Sequence, residues 1–92
     1  MTKKDYVISN RLGLHARPAS LFVKTTSRFT SAVKIIKDGQ EIDGKSIMGL
    51  LMLAAGPGTP LTITADGPDE ADVLKALDDL FERHFDDDID GD

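Results

Sequence analysis

The pattern of hydrophobic and polar positions predicts seven secondary-structure elements. An apolar run at residues 6–8 predicts a short first strand, and apolar residues at helical spacing predict a helix from Ala16 to about Ser27. Pro18 is compatible with this helix only in its first turn, where backbone N–H groups lack intrahelical partners. The helix therefore starts within a residue or two of His15.

The middle of the chain predicts a β-hairpin followed by a short helix. Residues 32–37 are apolar and β-branched, the Asp-Gly pair at 38–39 is typical of a two-residue hairpin turn, and residues 40–43 form the returning strand. Ser46 is a favoured N-cap for an apolar helix over residues 47–53.

The last third predicts a strand and a long amphipathic helix. Residues 61–65 alternate between apolar and threonine side chains, which is typical of a half-buried strand. Apolar residues from 71 to 85 recur every 3.6 positions, so the third helix is expected to reach Phe85. His84 would then lie in its last turn, where a ring able to carry positive charge suits the helix dipole. Acidic residues 86–92 are expected to fray.

The order of these elements, β-α-β-β-α-β-α, predicts an α+β fold. Because the strands are half polar, we expect one antiparallel sheet with a single apolar face covered by helices. The 92 residues are enough for one domain, spanning 1–92. The chain has no cysteine, which excludes disulfides and thiolate metal sites and fits a reducing compartment. No signal-peptide pattern follows Met1, and the apolar run at 47–55 is too short to cross a bilayer, so a cytoplasmic protein is predicted.

Charge is distributed unevenly along the chain. Residues 1–37 carry eight Lys or Arg against one acidic residue, a net charge of +7, whereas residues 66–92 carry two against twelve, a net charge of −10. A basic first third could bind nucleic acid, but it has no interleaved aromatic residues and the whole chain has a net charge of −5. We therefore expect an acidic protein partner or a phosphate group, and neither nucleic acid nor membrane.

His15 is the residue whose side chain is the best candidate for a reactive group. Histidine is a mediocre N-cap beside Ser, Thr, Asp or Asn, so local stability does not explain it at a helix start. The N–H groups and the dipole there favour an anion, and the guanidinium of Arg17 matches the geometry of phosphate oxygens. The pattern favours a histidine that accepts a phosphoryl group and passes it on, with a plain capping loop as the alternative.

Two motifs make a family resemblance specific. Residues 13–19, GLHARPA, resemble the phosphorylation-site motif of HPr, the histidine-containing phosphocarrier of the bacterial phosphotransferase system, and residues 44–50, GKSIMGL, resemble its second signature. The resemblance extends from about residue 5 to 85. It implies an open-faced β-sandwich, in which three helices cover one face of a four-stranded antiparallel sheet. Residues 50–55 and 81–88 resemble the nitrogen-related paralogue NPr more closely.

The resemblance implies a function for individual residues. Enzyme I, charged by phosphoenolpyruvate, would phosphorylate His15 at Nδ1, with Arg17 stabilising the phosphate, and the group would pass to a IIA domain. Ser46 matches the serine phosphorylated by HPr kinase/phosphorylase. The protein would be a monomeric carrier rather than an enzyme that turns over alone, and it would need no cofactor or metal.

The resemblance also implies a docking face for enzyme I and IIA domains. It would combine residues of the first two helices, namely Ser20, Leu21, Ile47, Met48 and Leu51. Core packing is the alternative for apolar residues here, and we prefer it for Leu50 and Leu53. Two other functions are a regulatory binding module controlled only through Ser46 and a small nucleic-acid binder. His15 with Arg17 argues against the first, and the acidic end of the chain argues against the second.

Overall fold

Four strands form one antiparallel sheet in the computed structural model, which describes residues 1–9 and 13–86. The strand order is β1-β4-β2-β3, and each neighbouring pair is antiparallel. The elements in chain order are β1 (Thr2–Val7), α1 (Ala16–Thr26), β2 (Ala32–Lys37), β3 (Gln40–Asp43), α2 (Ile47–Leu53), β4 (Pro60–Asp66), α3 (Glu70–Glu82) and a 3-10 turn (His84–Asp86).

The central strand β4 shows why the sheet has one apolar face. Leu61, Ile63 and Ala65 are buried, while the threonines between them are only half-buried. Successive side chains of a strand point to opposite faces, so the buried set lies on the side that the helices cover. The predicted α+β fold and the open-faced β-sandwich are confirmed. The largest side chains of the core include Phe22, Phe85, Ile35, Leu50 and Leu77.

The local predictions for the first helix and the hairpin are confirmed. Pro18 lies in the first turn of α1 and is buried. Asp38 and Gly39 have φ values of 49° and 80°, the left-handed pair that a type I′ hairpin turn requires, and β2 pairs with β3 on either side of them.

The prediction for β1 is wrong at both ends. The strand runs over Thr2–Val7, whereas residues 6–8 were predicted. Polar residues 2–5 belong to it because their backbone pairs with β4 at the edge of the sheet, and only Tyr6 within the strand is buried. Ile8 lies beyond the strand, although it is buried and exchanges backbone hydrogen bonds with residues 58 and 59.

The prediction for the end of α3 is also wrong. The helix ends at Glu82, and His84 lies beyond it in the 3-10 turn, with left-handed φ values at His84 (52°) and Phe85 (57°). The helix dipole therefore does not explain His84. The left-handed turn brings the Phe85 ring into the core, where it is buried. There it packs edge-on against Phe81, with ring centroids 4.9 Å apart. Asp86 belongs to this turn, and the rest of the predicted acidic tail, 87–92, lies outside the described residues.

Among residues 1–9 and 13–86, no helix combines the length and the apolar character that a transmembrane span requires.

Candidate functional site

The backbone before His15 is held against the loop that follows α2. The N–H of buried Leu14 donates to the carbonyl of Ala55 at 2.8 Å. Gly13 makes this approach possible, because it has a φ of 73° and a Cβ there would lie 2.3 Å from the Ala55 carbonyl oxygen. The position of His15 therefore depends on a glycine that no other residue could replace without moving the chain.

His15 occupies the N-cap of α1 with extended backbone, at φ −91° and ψ −170°. Its carbonyl accepts the first intrahelical bond, from the N–H of Ala19 at 3.0 Å. Within the described residues, its ring makes no capping hydrogen bond to the helix. The side chain is therefore not used as a cap of α1.

The first turn of α1 is electrostatically suited to an anion. It contains no acidic residue, and the exposed Arg17 lies in it two positions after His15. The N–H groups of a helix start point along its axis, and the helix dipole adds a partial positive charge. An anionic group at this helix start would therefore lie in a positive field, and the half-buried His15 is accessible from the surface there.

Ser46 is the N-cap of α2, as the sequence predicts. Its Oγ accepts a hydrogen bond from the N–H of Gly49 at 3.0 Å, and its carbonyl accepts one from the N–H of Leu50 at 3.1 Å. The capping role is thus observed directly. Its side chain is half-buried, so the hydroxyl is not sealed inside the core.

The outer surface of α2 presents a strip of apolar side chains that we call the apolar α2 face. Its members have exposed fractions of 41%, 68%, 37% and 70%, and they are Ile47, Met48, Leu51 and Met52. Met52 was not among the residues predicted for this face, although it follows Met48 by one helical turn. Leu50 and Leu53 lie in the core, at 0% and 2% exposed, as predicted.

Most of these features lie on, or next to, two helices that are in contact. Helices α1 and α2 pack against each other, and the loop after α2 holds Leu14 next to His15. Ser20 on α1 is exposed, and Leu21 beside it is partly buried against the core. Ser46 lies at the other end of α2, about 10 Å along its axis. The roles predicted for these residues stay predictions.

The second histidine has a partner that the sequence analysis did not predict. The ring of His84 lies with Nδ1 2.7 Å from the hydroxyl of Ser9, which follows β1. These residues are 75 positions apart, so no local pattern could have indicated the contact.

Comparison with known proteins gives a consistent family. A profile of the family described as the PTS HPr component phosphorylation site matches residues 2–83. The chain is 47% identical to the phosphocarrier protein HPr of Neisseria meningitidis serogroup A over 85 residues, which is 92% of this chain and 96% of that one. It is also 46% identical to the HPr-like protein Crh of Halalkalibacterium halodurans over 84% of this chain and 92% of that one.

The fold is shared with solved structures of the same family. The crystal structure of HPr-C-His from Thermoanaerobacter tengcongensis superposes with a TM-score of 0.90 at 44% sequence identity, covering 92% of this chain and 96% of that one.

Proposed function

The chain belongs to the HPr family of the bacterial phosphotransferase system, and on that basis we propose that His15 accepts a phosphoryl group from phosphorylated enzyme I and passes it to IIA domains. The observation that carries this proposal is the position of His15 at the start of α1, beside Arg17 and without an acidic residue in the first turn. The protein acts as a covalent intermediate in the cytoplasm, and it turns nothing over alone.

Each transfer is a displacement at phosphorus. The lone pair of the His15 Nδ1 atom forms the new N–P bond while the bond from phosphorus to the donor breaks, and the electron pair of that bond leaves with the donor. In the second transfer a nucleophile of the IIA domain attacks phosphorus, and the electron pair of the N–P bond returns to the His15 ring. No metal or cofactor takes part in this scheme, because the donor already carries an activated phosphoryl group.

The surroundings of His15 support both transfers. The N–H groups at the start of α1 and the Arg17 guanidinium stabilise the negative phosphoryl oxygens. Because His15 is half-buried at the surface, a protein donor reaches it without any opening of the fold.

Docking of enzyme I and IIA domains is proposed at the apolar α2 face, together with Ser20 and Leu21 of α1. Exposed methionine side chains are flexible and polarisable, so one surface can fit several partners. Met48 and Met52 are both more than two-thirds exposed, which supports this use.

Phosphorylation of Ser46 by an HPr kinase/phosphorylase is proposed as the control on docking. A phosphate on this residue adds a charge of about −1.5 to −2 next to Ile47 at the edge of the apolar α2 face. The charge must be desolvated when an apolar or acidic partner surface docks, so it weakens docking without unfolding the helix.

The test is labelling with phosphoenolpyruvate and enzyme I. The wild-type protein and His84→Asn are expected to take up an acid-labile, alkali-stable phosphoryl group, whereas His15→Ala takes up none. His15→Ala is expected to stay folded, because His15 is only half-buried and does not belong to the core. Labelling of a folded His15→Ala protein would overturn the assignment.

A regulatory binding module is the second candidate, and the similarity to the HPr-like protein Crh favours it. Such a module responds only to phosphorylation of Ser46. The same experiment separates the two functions, because the module would take phosphate from ATP through a serine kinase and none from enzyme I.

A further inference from the structure

A hydrogen bond joins the end of β1 to the turn after α3. It links Ser9 Oγ and His84 Nδ1, which are 2.7 Å apart, and both side chains are exposed. Ser9 precedes His15 by six residues in the chain. The contact therefore acts on the connection between β1 and α1, in which His15 is the last residue.

The backbone that aims His84 at Ser9 is unusual. His84 and Phe85 both have left-handed φ values, 52° and 57°, which crowd the Cβ of any L-residue against a carbonyl oxygen. Packing of the buried Phe85 ring against Phe81 holds the turn in this shape. The core thus holds the backbone from which the exposed His84 side chain extends toward Ser9.

The connection between β1 and α1 is held near both of its ends. At the first end, Ile8 donates to the carbonyl of Thr59 at 3.0 Å and accepts from the N–H of Gly58 at 2.7 Å. At the second end, Leu14 donates to the carbonyl of Ala55 at 2.8 Å. These bonds use only backbone groups. The Ser9–His84 contact adds a side-chain bond at the first end, and this bond depends on which residues occupy the two positions.

We propose that His84 is a positioning residue for phosphoryl transfer at His15, acting through Ser9. The inference rests on the proposed function of His15. The contact restrains the chain where it leaves β1, six residues before His15, and we expect the His15 ring to occupy a narrower range of positions as a result. Transfer needs the accepting nitrogen in line with the bond that breaks, and small displacements of a reacting group lower the rate steeply. Loss of the contact is expected to slow transfer about three- to tenfold.

Three variants test the contact itself. Ser9→Ala and His84→Leu each remove one partner, and the double variant removes both. His84→Asn is the matched control, because its amide can take the place of Nδ1 and asparagine tolerates left-handed backbone. Asp69→Ala is a second control, because it weakens the other end of α3 and reports what lower stability alone does to the rate.

The first readout is the steady-state rate of His15 phosphorylation by enzyme I, with kcat and KM determined separately. We expect Ser9→Ala and His84→Leu to lower kcat to the same extent, the double variant to lower it no further, and His84→Asn to keep the wild-type value. Asp69→Ala should melt earlier and transfer at the wild-type kcat. Wild-type kcat in Ser9→Ala and His84→Leu, or additive losses in the double variant, would overturn the proposal.

The second readout does not require phosphoryl transfer. Hydrogen exchange of the Leu14 amide and the nuclear magnetic resonance signals of the His15 ring report the order of the connection directly. Both should change in Ser9→Ala and His84→Leu and stay unchanged in His84→Asn. Absence of phosphate uptake by the wild-type protein would overturn the proposed function. Unchanged hydrogen exchange of the Leu14 amide in Ser9→Ala and His84→Leu would overturn the positioning role, whatever the result of phosphorylation.

Discussion

Ser31 and Asp69 hold each other through reciprocal hydrogen bonds. The backbone N–H of Ser31 donates to Asp69 Oδ1 at 2.9 Å, its hydroxyl donates to the same oxygen, and the N–H of Asp69 donates to Ser31 Oγ at 3.2 Å. The other carboxylate oxygen accepts from the N–H of Thr30 at 3.0 Å. This cluster ties the residue before α3 to the chain that enters β2. Asp69 is the N-cap residue of α3, yet its carboxylate bonds to these residues and not to the helix.

Asp69→Asn is expected to lower the melting temperature at pH 7 by several degrees. The hydrogen bonds from Ser31 and Thr30 lower the pKa of Asp69 from 3.8 to about 2, so the folded protein favours the charged form. The stability that the ionised Asp69 carboxylate contributes is therefore complete above pH 3.8 and is lost as the pH falls toward 2. The measurement is the melting temperature at several pH values between 6 and 2.

The acid sensitivity of the variant is the discriminating result. Asp69→Asn should lose less stability than wild type between pH 4 and pH 2. Some loss of stability remains in the variant, because the pKa values of Glu70 and Asp78 are also lowered in the folded protein. Asp72→Asn is the matched control, because that side chain is exposed in the first turn of α3. If the melting temperatures of wild type and Asp69→Asn fell in parallel as the pH was lowered, the Asp69 carboxylate would not be a source of the acid sensitivity.

Tyr6→Phe is expected to destabilise the protein by about 1 kcal/mol in chemical denaturation. The Tyr6 hydroxyl donates to Asp78 Oδ1 at 2.7 Å, and Lys4 Nζ donates to the same oxygen at 2.6 Å, so the edge strand β1 is attached to α3 at this point. An unchanged free energy of unfolding would show that the stacking of the Tyr6 ring on Phe81, with centroids 4.4 Å apart, is sufficient.

Alkaline titration tests the same residue in the wild-type protein. Burial, with the hydrogen bond to Asp78 and its charge, raises the pKa of Tyr6 above its usual value of 10. The folded state thus holds this proton more tightly than the unfolded chain, and the corresponding stability is present below pH 10 and lost as the pH rises further. Tyr6 is the only tyrosine, so phenolate absorption reports it alone. Ionisation at pH 10 in the folded protein would contradict the burial argument.

Arg17→Ala is expected to slow phosphorylation of His15 and to change the lifetime of the phosphohistidine. The variant loses a charge-assisted contact to the phosphoryl oxygens worth about 1.5–3 kcal/mol. Arg17→Lys keeps the charge without the planar fork and should lie between wild type and Arg17→Ala. Rates of transfer from enzyme I and of phosphohistidine hydrolysis provide the measurement. Wild-type values for both in Arg17→Ala would exclude a direct role.

Ser46→Asp and Ser46→Ala are expected to have opposite effects. Asp caps a helix as well as Ser, so Ser46→Asp should stay within about 1 kcal/mol of wild-type stability while enzyme I phosphorylates it several-fold more slowly. Ser46→Ala loses the bond to the Gly49 N–H, which costs up to about 1–2 kcal/mol, and should transfer almost normally. If Ser46→Asp accepted phosphate at the wild-type rate, Ser46 would be a cap and not a switch.

Features that depend on neighbours in the chain were predictable. The hairpin turn at 38–39, the N-cap at Ser46 and the place of Pro18 follow from the conformations that those residue types favour. The motif around His15 was visible for the same reason, since all of its residues are consecutive.

Features that depend on distant partners were not predictable. The partners of Ser31 and Tyr6 are 38 and 72 positions away, so no local pattern indicates either bond. The helical periodicity that extends to Phe85 also misled the prediction, because a buried ring can be reached by a left-handed turn as well as by continued helix. That turn created the contact of His84 with Ser9.

Phosphorylation of His15 is tested most directly by nuclear magnetic resonance of the wild-type protein, with its two histidines labelled with ¹⁵N, after incubation with phosphoenolpyruvate and enzyme I. We expect phosphorus coupling at one nitrogen only, Nδ1 of His15, with the ring of His84 unchanged. Phosphorus on His84, on Nε2 of His15, or on no histidine would contradict it.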